Sequence, residues 1–269
     1  MRMASQKSFN ASQGSNKAEA RESIKRIDKI RNKIETQQNV DIVIVLKTVA
    51  NLELELENLK QQLVQLGQDY NTIDAFRLID VDGQGSVSPE QIQRFIDQNL
   101  QITYDQHKLQ LFILRFDKNE KNRLKYSEFC TAFAPQSART QQELVNRTPS
   151  NTQLEKSYQD TFAHQTKQLY EQCWALHFRI ESTVEMMRQK LLKNPFFDIS
   201  KAYRDIDSSK KGYIVPGDLG KFLDLHDVTI TKQQEQLIFE RFNKRQNSDR
   251  INYAEFIEEV TPRANTLDS

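Results

Sequence analysis

The chain has 269 residues, which is long enough for two domains, and 37% of them are hydrophobic. Its 38 basic and 37 acidic residues leave a formal net charge of +1, so charge does not favour nucleic acid or an anionic membrane as a partner. The mean hydropathy is -0.72, and no apolar stretch approaches the length of a membrane span. This composition favours a cytoplasmic protein with much surface helix and with protein partners.

A polar N-terminus precedes a long apolar stripe. Residues 1–18 are rich in Ser, Asn and Gln and lack the apolar core of a signal peptide, which predicts a disordered tail. Within residues 19–68, apolar side chains then recur every three or four positions, which is the pattern of a coiled-coil seam. The seam consists of Ile42, Val45, Val49, Leu52, Leu56, Leu59, Leu63 and Leu66. An earlier run, Ile24, Ile27, Ile30 and Ile34, extends it with a shift of phase.

This stripe leaves two questions open. The β-branched run from Ile42 to Leu46 also suits a strand, but the absence of Gly and Pro from Ser15 to Leu66 favours a helix. The helix packs either against the protein's own domains or against another chain.

Two Asp-containing loops follow, and each lies between apolar helical faces. Apolar residues one and four positions before each loop, and at helical spacing after it, predict a helix on both sides. These residues are Phe76, Ile79, Ile92, Phe95 and Ile96 around the loop at 80–91, and Ile113, Phe116, Phe129 and Phe133 around the loop at 117–128. Val87 and Leu124, each four positions before a loop end, predict a short antiparallel bridge between the loops.

The segment after the second loop predicts a long helix. A polar linker at 135–151 leads to Thr152, which forms a capping box with Glu155 at a helix start. An apolar stripe continues to Leu191, and a helix of about 41 residues would span roughly 60 Å. A rod of that length suits a protein that reaches along another structure.

Three side chains on this helix are candidates for binding a partner. They are Trp174, Leu176 and Ile180. Large aromatic side chains are enriched at protein interfaces, although Trp174 suits a packing anchor equally well.

The last part of the chain repeats the first pair of loops. Asp80 and Asp207 are 127 residues apart, which is 207 minus 80. The same offset relates Gly85 to Gly212, Phe95 to Phe222, Tyr126 to Tyr253, Glu128 to Glu255, and Pro135 to Pro262. Duplication of a unit with two loops explains this internal repeat.

Paired loops of about twelve residues between helices resemble those of the EF-hand superfamily, to which calmodulin belongs. The resemblance implies an all-α protein with two EF-hand pair lobes joined by a long helix and preceded by a coiled-coil-like helix. The expected organisation is a tail at 1–18, a helical segment at 19–68, lobe 1 at 69–135, a linker and connecting helix at 136–194, lobe 2 at 195–262, and a tail at 263–269.

The resemblance also gives candidate metal ligands in the first loop. An EF-hand takes calcium oxygens from loop positions 1, 3, 5, 7, 9 and 12, with Gly at 6 and a bidentate Glu at 12. On that pattern the candidate calcium ligands are Asp80, Asp82, Gln84 and Ser86. Gln91 at position 12 departs from the pattern, because a neutral amide offers one oxygen in place of two. We therefore expect weakly bound calcium or none.

Lysine stands at position 5 of the second and third loops, where an ion would otherwise lie. These residues are Lys121 and Lys211, and we expect them to fill vacant ion sites with their own charge. An ammonium held about 4 Å from the ion would repel it by at most roughly 8 kcal/mol at an effective dielectric of 20. The fourth loop, from Asn243 to Glu255, has thirteen residues and several basic side chains, so it is the least suited to metal.

No catalytic motif is present, and we predict that the protein is not an enzyme. The four His residues are scattered, and the seven Gly form no phosphate-binding loop. Cys130 and Cys173 lack the spacing of a metal site and are predicted to be reduced core residues, with a regulatory thiol as the alternative.

The favoured function is structural: a scaffold, largely calcium-independent, that binds partner helices or a filament. The combination of coiled coil, paired loops and long helix resembles EF-hand proteins of the cytoskeleton, including those fixed to ciliary microtubules. The resemblance implies a cytoskeletal partner such as the microtubule-based axoneme, and a location in the cytoplasm, cytoskeleton or cilium. The alternative is a calcium sensor that acts through the first loop.

Overall fold

The computed structural model describes residues 40–149, 157–243 and 249–263, together with Glu22, Lys25 and Arg26. The predicted N-terminal tail and the capping box at Thr152 and Glu155 lie outside these residues, as do the isoleucines between 24 and 34. In this part of the chain the protein is all-α, apart from one two-stranded sheet and one isolated bridge. None of the described helices is long and apolar enough to cross a membrane.

Two antiparallel helices form a spine. Helix α1 covers residues 40–65, and helix α8 covers the 30 residues His164–Lys193, about 45 Å. Side-chain hydrogen bonds along the pair fix their opposite directions. The contacting pairs are Asp41 with Asn194, Glu55 with Arg179, and Asp69 with Thr166. A 3-10 turn at Gly67–Asp69 ends α1 and leads into lobe 1.

Lobe 1 contains two helix–loop–helix units. Its helices are α2 (Thr72–Arg77), α3 (Pro89–Asn99), α4 (Gln106–Phe116) and α5 (Tyr126–Phe133). The strands β1 (Ser86–Val87) and β2 (Leu124–Lys125) pair antiparallel, with Val87 opposite Leu124. The bridge predicted from these two aliphatic residues is confirmed.

Lobe 2 has the same order of elements. Its helices are α9 (Ile199–Ile206), α10 (Pro216–Asp224), α11 (Lys232–Phe242) and α12 (Tyr253–Val260). Ile214 and Ile251 exchange backbone hydrogen bonds of 2.9 and 2.8 Å, which form an antiparallel bridge at the equivalent place. The apolar residues predicted to flank the first two loops are buried. In lobe 2 the residues beside the loops are buried too, namely Tyr203, Ile206, Leu219, Phe222, Leu223, Phe239, Phe242, Phe256 and Val260.

The apolar stripe of α1 packs against the protein's own helices. Its first half, from Ile42 to Leu56, joins α8 and lobe 2 in one core. Leu63 and Val64 join lobe 1 and the first half of α8 in the other. The stripe is therefore helical and intramolecular, because each lobe supplies the apolar surface that a second chain would have provided.

The region between lobe 1 and α8 differs from the predicted polar linker and single long helix. It contains α6 (Ala138–Val145) and the short helix α7 (Tyr158–Thr161), and α8 begins at His164. Phe162 has an extended backbone and its ring is buried in the lobe 1 core, so the chain leaves the helical path there. Because that ring is buried in the lobe 1 core, the long helix begins at His164 and is shorter than predicted.

Candidate functional site

The backbone of the first loop, 80–91, folds around Asp80. One carboxylate oxygen of Asp80 accepts from the amide of Gln84 at 3.0 Å, and the other accepts from the amide of Gly85 at 2.8 Å. Gly83 and Gly85 have φ values of 66° and 70°, a conformation that glycine adopts without strain. The loop therefore closes as a tight turn, with its first carboxylate already bonded to the backbone.

Gln84 and Asp82, two other predicted ligands, also have partners within the loop. The Gln84 side-chain amide donates to the backbone oxygen of Asp82 at 3.3 Å. Burial raises the pKa of Asp80, and the adjacent Asp82 adds to the rise. Burial acts in the same direction on Asp82, but its side-chain hydrogen bonds with Asp80 and Gln91 lower its pKa. The side chains of Asp80 and Asp82 therefore interact with each other within the loop.

Gln91, at loop position 12, caps helix α3. Its side-chain oxygen accepts from the amide of Ser88 at 2.9 Å, and the Ser88 hydroxyl accepts from the amide of Gln91 at 3.3 Å. This reciprocal pair is a capping box, which satisfies two free amides at the helix start.

Arg123, which sequence reasoning missed, reaches into the first loop from the second. Its Nη2 donates to the backbone oxygen of Ser86 at 2.7 Å, and its Nε donates to the Ser86 hydroxyl at 2.9 Å. The same Nη2 lies 3.4 Å from the side-chain oxygen of Gln91. The available signal was position: Arg123 directly precedes the bridge residue Leu124, so it lies beside the first loop.

The second loop, 117–128, is held by Glu128. One of its oxygens accepts from the Asn119 side chain at 2.9 Å and from the amide of Lys118 at 3.0 Å, and the other accepts from the amide of Lys125 at 2.8 Å. Lys121 is exposed and forms no ion pair with the described residues, so its predicted place in the ion site is corrected. Amide groups, rather than the Lys121 ammonium, bind the loop carboxylate.

In the third loop, 207–218, Lys211 bonds to the loop's own carboxylate. Its Nζ lies 2.8 Å from Asp218 Oδ2, and this hydrogen bond raises the pKa of Lys211. Asp207 repeats the role of Asp80, because it accepts from the amides of Lys211 and Gly212 at 3.0 and 2.7 Å. The Lys211 ammonium therefore forms an ion pair with Asp218, the acidic residue at loop position 12.

Most of the fourth loop, residues 244–248, lies outside the described residues. Its second half is described, and there Arg250 lies over the Tyr213 ring at 4.6 Å from the centroid. Arg250 and Tyr213 correspond to Arg123 and Ser86 by the 127-residue offset.

The two loops of lobe 1, with their flanking helices and bridge, match a known family. A family model described as an EF-hand domain pair matches residues 70–134. Residues 70–134 are an EF-hand pair. No curated protein sequence matches the chain with statistical significance.

The family implies calcium as a ligand of the EF-hand pair. Calcium takes six to eight oxygen ligands and, in an EF-hand, a bidentate acid at position 12. In the first loop the position 7 carbonyl and the position 12 side chain both face the Arg123 guanidinium. In the described part of the chain, no group of three or more His, Cys, Asp or Glu side chains is arranged to hold a metal. In this arrangement the first loop does not fit calcium.

The predicted partner-binding residues lie in the interior. Trp174 is fully buried in the lobe 1 core, where its ring centroid is 4.7 Å from that of Phe133. Leu176 and Ile180 are buried in the lobe 2 core. These side chains hold α8 to the lobes, and the prediction that they bind a partner is corrected.

A buried ion cluster joins both lobes to the spine. Arg115 of lobe 1 donates to Glu53 of α1 and Glu181 of α8, each at 2.8 Å. Arg241 of lobe 2 donates to the same two carboxylates at 2.7 and 2.9 Å. Burial alone would raise the pKa of Glu181, but Arg241 and Arg115 lower it to about 2.

The two arginines occupy equivalent places in the repeat. Arg115 lies two residues before the second loop begins at Asp117, and Arg241 lies two residues before the fourth begins at Asn243. Corresponding helices of the two lobes therefore each supply an arginine that binds both Glu53 and Glu181. No apolar periodicity could reveal this cluster, because it depends on the packing of four separate helices.

Side chains of the spine and its end also cap the last helix of lobe 1. Lys60 donates to the backbone oxygen of Thr131 at 3.3 Å, and His177 Nε2 donates to that of Ala132 at 3.0 Å. The Tyr70 hydroxyl donates to the next carbonyl at 3.4 Å. Burial and the charge of Lys60 hold the pKa of His177 well below its ordinary value, so the ring is neutral. The C-terminus of α5 is thus fixed to the spine.

Proposed function

We propose that this protein is a non-enzymatic structural or scaffold EF-hand protein that keeps its shape largely without calcium. The observation that carries the proposal is the buried ion cluster, which ties equivalent helices of both lobes to one spine. A calcium sensor works by changing the angle between the helices of a hand and exposing an apolar groove. Here that change would pull Arg115 away from two buried carboxylates.

The capped end of α5 supports the same proposal. Opening of lobe 1 would separate the last carbonyls of α5 from Lys60, His177 and Tyr70. Each of these carbonyls would then lose a donor, and a polar group left buried without a partner costs about 1–3 kcal/mol. A lobe held in this way suits a rigid part of an assembly.

We propose further that the partner is a protein helix or filament, such as a microtubule-based axoneme. The support is the resemblance of paired hands on a long helical spine to cytoskeletal EF-hand proteins. Since the apolar stripe of the spine is covered by the protein's own lobes, attachment would use the outer surface of the folded molecule. A location in the cytoplasm, at the cytoskeleton or in the cilium follows from the same proposal.

Extraction of the cytoskeleton tests this function. Detergent-extracted cytoskeleton carrying the protein would be washed with buffer that contains either calcium or a calcium chelator. We expect the same fraction to stay bound in both washes, and more to be released by high salt or by denaturant. Release by the chelator alone would contradict calcium-independent attachment.

The second candidate function is calcium sensing through the first loop. The observation in its favour is that the Asp80 and Asp82 side chains interact in a loop whose residues 81–85 are exposed. Calorimetric titration of the full chain with calcium separates the two functions. A Kd of about 10 µM or tighter, within the range of sensor hands, would favour sensing over a scaffold.

A further inference from the structure

Arg123 donates hydrogen bonds to a loop other than its own. It belongs to the second loop at position 7, directly before β2. The antiparallel pairing of β1 and β2 brings it beside the end of β1, from where its side chain reaches Ser86. A bridge of two residues on each strand holds the two loops close enough for this contact.

The atoms that Arg123 contacts are those a cation would use. Positions 7 and 12 of an EF-hand supply a backbone carbonyl and a side-chain ligand to calcium. In the first loop these are Ser86 and Gln91, and one guanidinium nitrogen lies 2.7 Å from the first and 3.4 Å from the second. A guanidinium presents several donors at once and keeps its charge at all physiological pH values.

We propose that Arg123 is the built-in cation of the first loop, and that it excludes divalent cations by holding their ligands. Gln91 complements it, because a neutral amide accepts a hydrogen bond from the guanidinium without adding negative charge to the loop. Removing Arg123 and restoring an acid at position 91 would convert the loop into a calcium site. The inference deepens the proposed calcium-independent function and rests on it.

The second lobe provides a matched control. Arg250 is the equivalent of Arg123, since 250 minus 123 is again 127. It lies over the Tyr213 ring of the third loop, at 4.6 Å from the centroid. In that lobe Lys211 already bonds to the position 12 carboxylate. Removing Arg250 therefore changes the net charge equally and leaves the first loop untouched.

The test is calorimetric titration of full-length variants with calcium chloride. Two double variants carry the same charge change: Gln91→Glu with Arg123→Met, and Gln91→Glu with Arg250→Met. We expect the first to bind calcium at least about tenfold more tightly than the second, with a Kd in the sensor range of roughly 0.1–10 µM. Equal affinities would overturn the proposal.

A third double variant controls for misfolding. Arg123→Gln, combined with Gln91→Glu, keeps a hydrogen-bond donor for Ser86 while it removes the charge. It should also bind more tightly than the Arg250 control, and failure to do so in a protein with native circular dichroism would also overturn the proposal. Tight calcium binding by the unmutated protein would contradict the proposed function, whereas the comparison of the double variants tests the role of Arg123 alone.

Discussion

Glu259 is a charged residue at a position where the other helices that leave the loops have apolar side chains. It lies on α12 and is buried. Arg241 Nε donates to its carboxylate at 2.7 Å, Arg263 donates at 2.8 Å, and Arg188 donates to both its carboxylate and its backbone oxygen. The apparent fault in the apolar pattern is therefore the acid that balances three partly or fully buried arginines.

Replacement of Glu259 by Leu restores the apolar pattern and should nevertheless destabilise the protein. The change removes the buried carboxylate that Arg188, Arg241 and Arg263 share, and removing one partner of a buried ion pair costs about 3–5 kcal/mol. The free energy of unfolding in urea measures the effect. Glu258→Leu, at the exposed neighbouring position, should change it by less than about 0.5 kcal/mol. A stable Glu259→Leu protein would show that the arginines find other partners.

At the scale of elements, Asp69 sets where the long helix α8 begins. Its carboxylate accepts from the amide of Ala163 at 3.1 Å and from the hydroxyl of Thr166. An acid at a helix N-terminus satisfies free amides and interacts favourably with the helix dipole. Asp69 is 94 residues from Ala163, so the start of α8 depends on a residue that follows α1.

Asp69→Ala should therefore weaken the start of α8. We expect a loss of about 1 kcal/mol, the usual effect of removing a helix cap, together with faster amide hydrogen exchange in the first turn of the helix. Asp160→Ala is the matched control, because that exposed carboxylate bonds to Ser157 of its own turn. Equal effects of the two substitutions would contradict a capping role for Asp69.

At the scale of the molecule, four charged side chains hold two lobes on one spine. Arg115 and Arg241 approach Glu53 and Glu181 from opposite lobes, and Glu181 is completely buried. Buried ion pairs add less to stability than their contacts suggest, because each charge must first lose its water. Their directional hydrogen bonds instead fix how the lobes lie, since sliding of either lobe would leave a charge unpaired.

Glu181→Gln should loosen both lobes at once. The amide removes one charge between two arginines, and we expect the free energy of unfolding to fall by about 3–5 kcal/mol. Glu55→Gln is the control, because Glu55 forms an exposed pair with Arg179 whose contribution should be below about 1 kcal/mol. If Glu181→Gln lowered stability no more than Glu55→Gln did, the cluster would not be what holds the lobes.

The cluster also predicts sensitivity to acid. The folded pKa of Glu181 is about 2, below its ordinary value of 4.5, so its contribution is complete above pH 4.5 and is lost as the pH falls towards 2. The pKa of Glu53 is lowered too, since Arg115 and Arg241 overcome the opposing effect of burial. Urea unfolding at a series of pH values should show stability falling through this window, with a shallower fall in Glu181→Gln.

Much of the fold could be predicted from local pattern. The helices beside the loops and the bridge between Val87 and Leu124 follow from spacing alone, because each involves residues close in sequence or matched by the repeat. The break at Phe162, before α8 begins, could not be predicted in this way. That break depends on where the ring is buried, and the burial site belongs to lobe 1.

The candidate site also has features that follow from the sequence and features that depend on tertiary structure. The sequence by itself determined which loop positions carry Asp, Gln or Lys, and hence that Lys211 lies within its own loop near Asp218. Tertiary structure decided that Trp174 is interior, that the Lys121 side chain is exposed, and that Arg123 donates to a neighbouring loop. The physical reason is that spacing fixes which residues share a helix face or a turn, whereas charge pairing and burial depend on elements that the chain brings together only on folding.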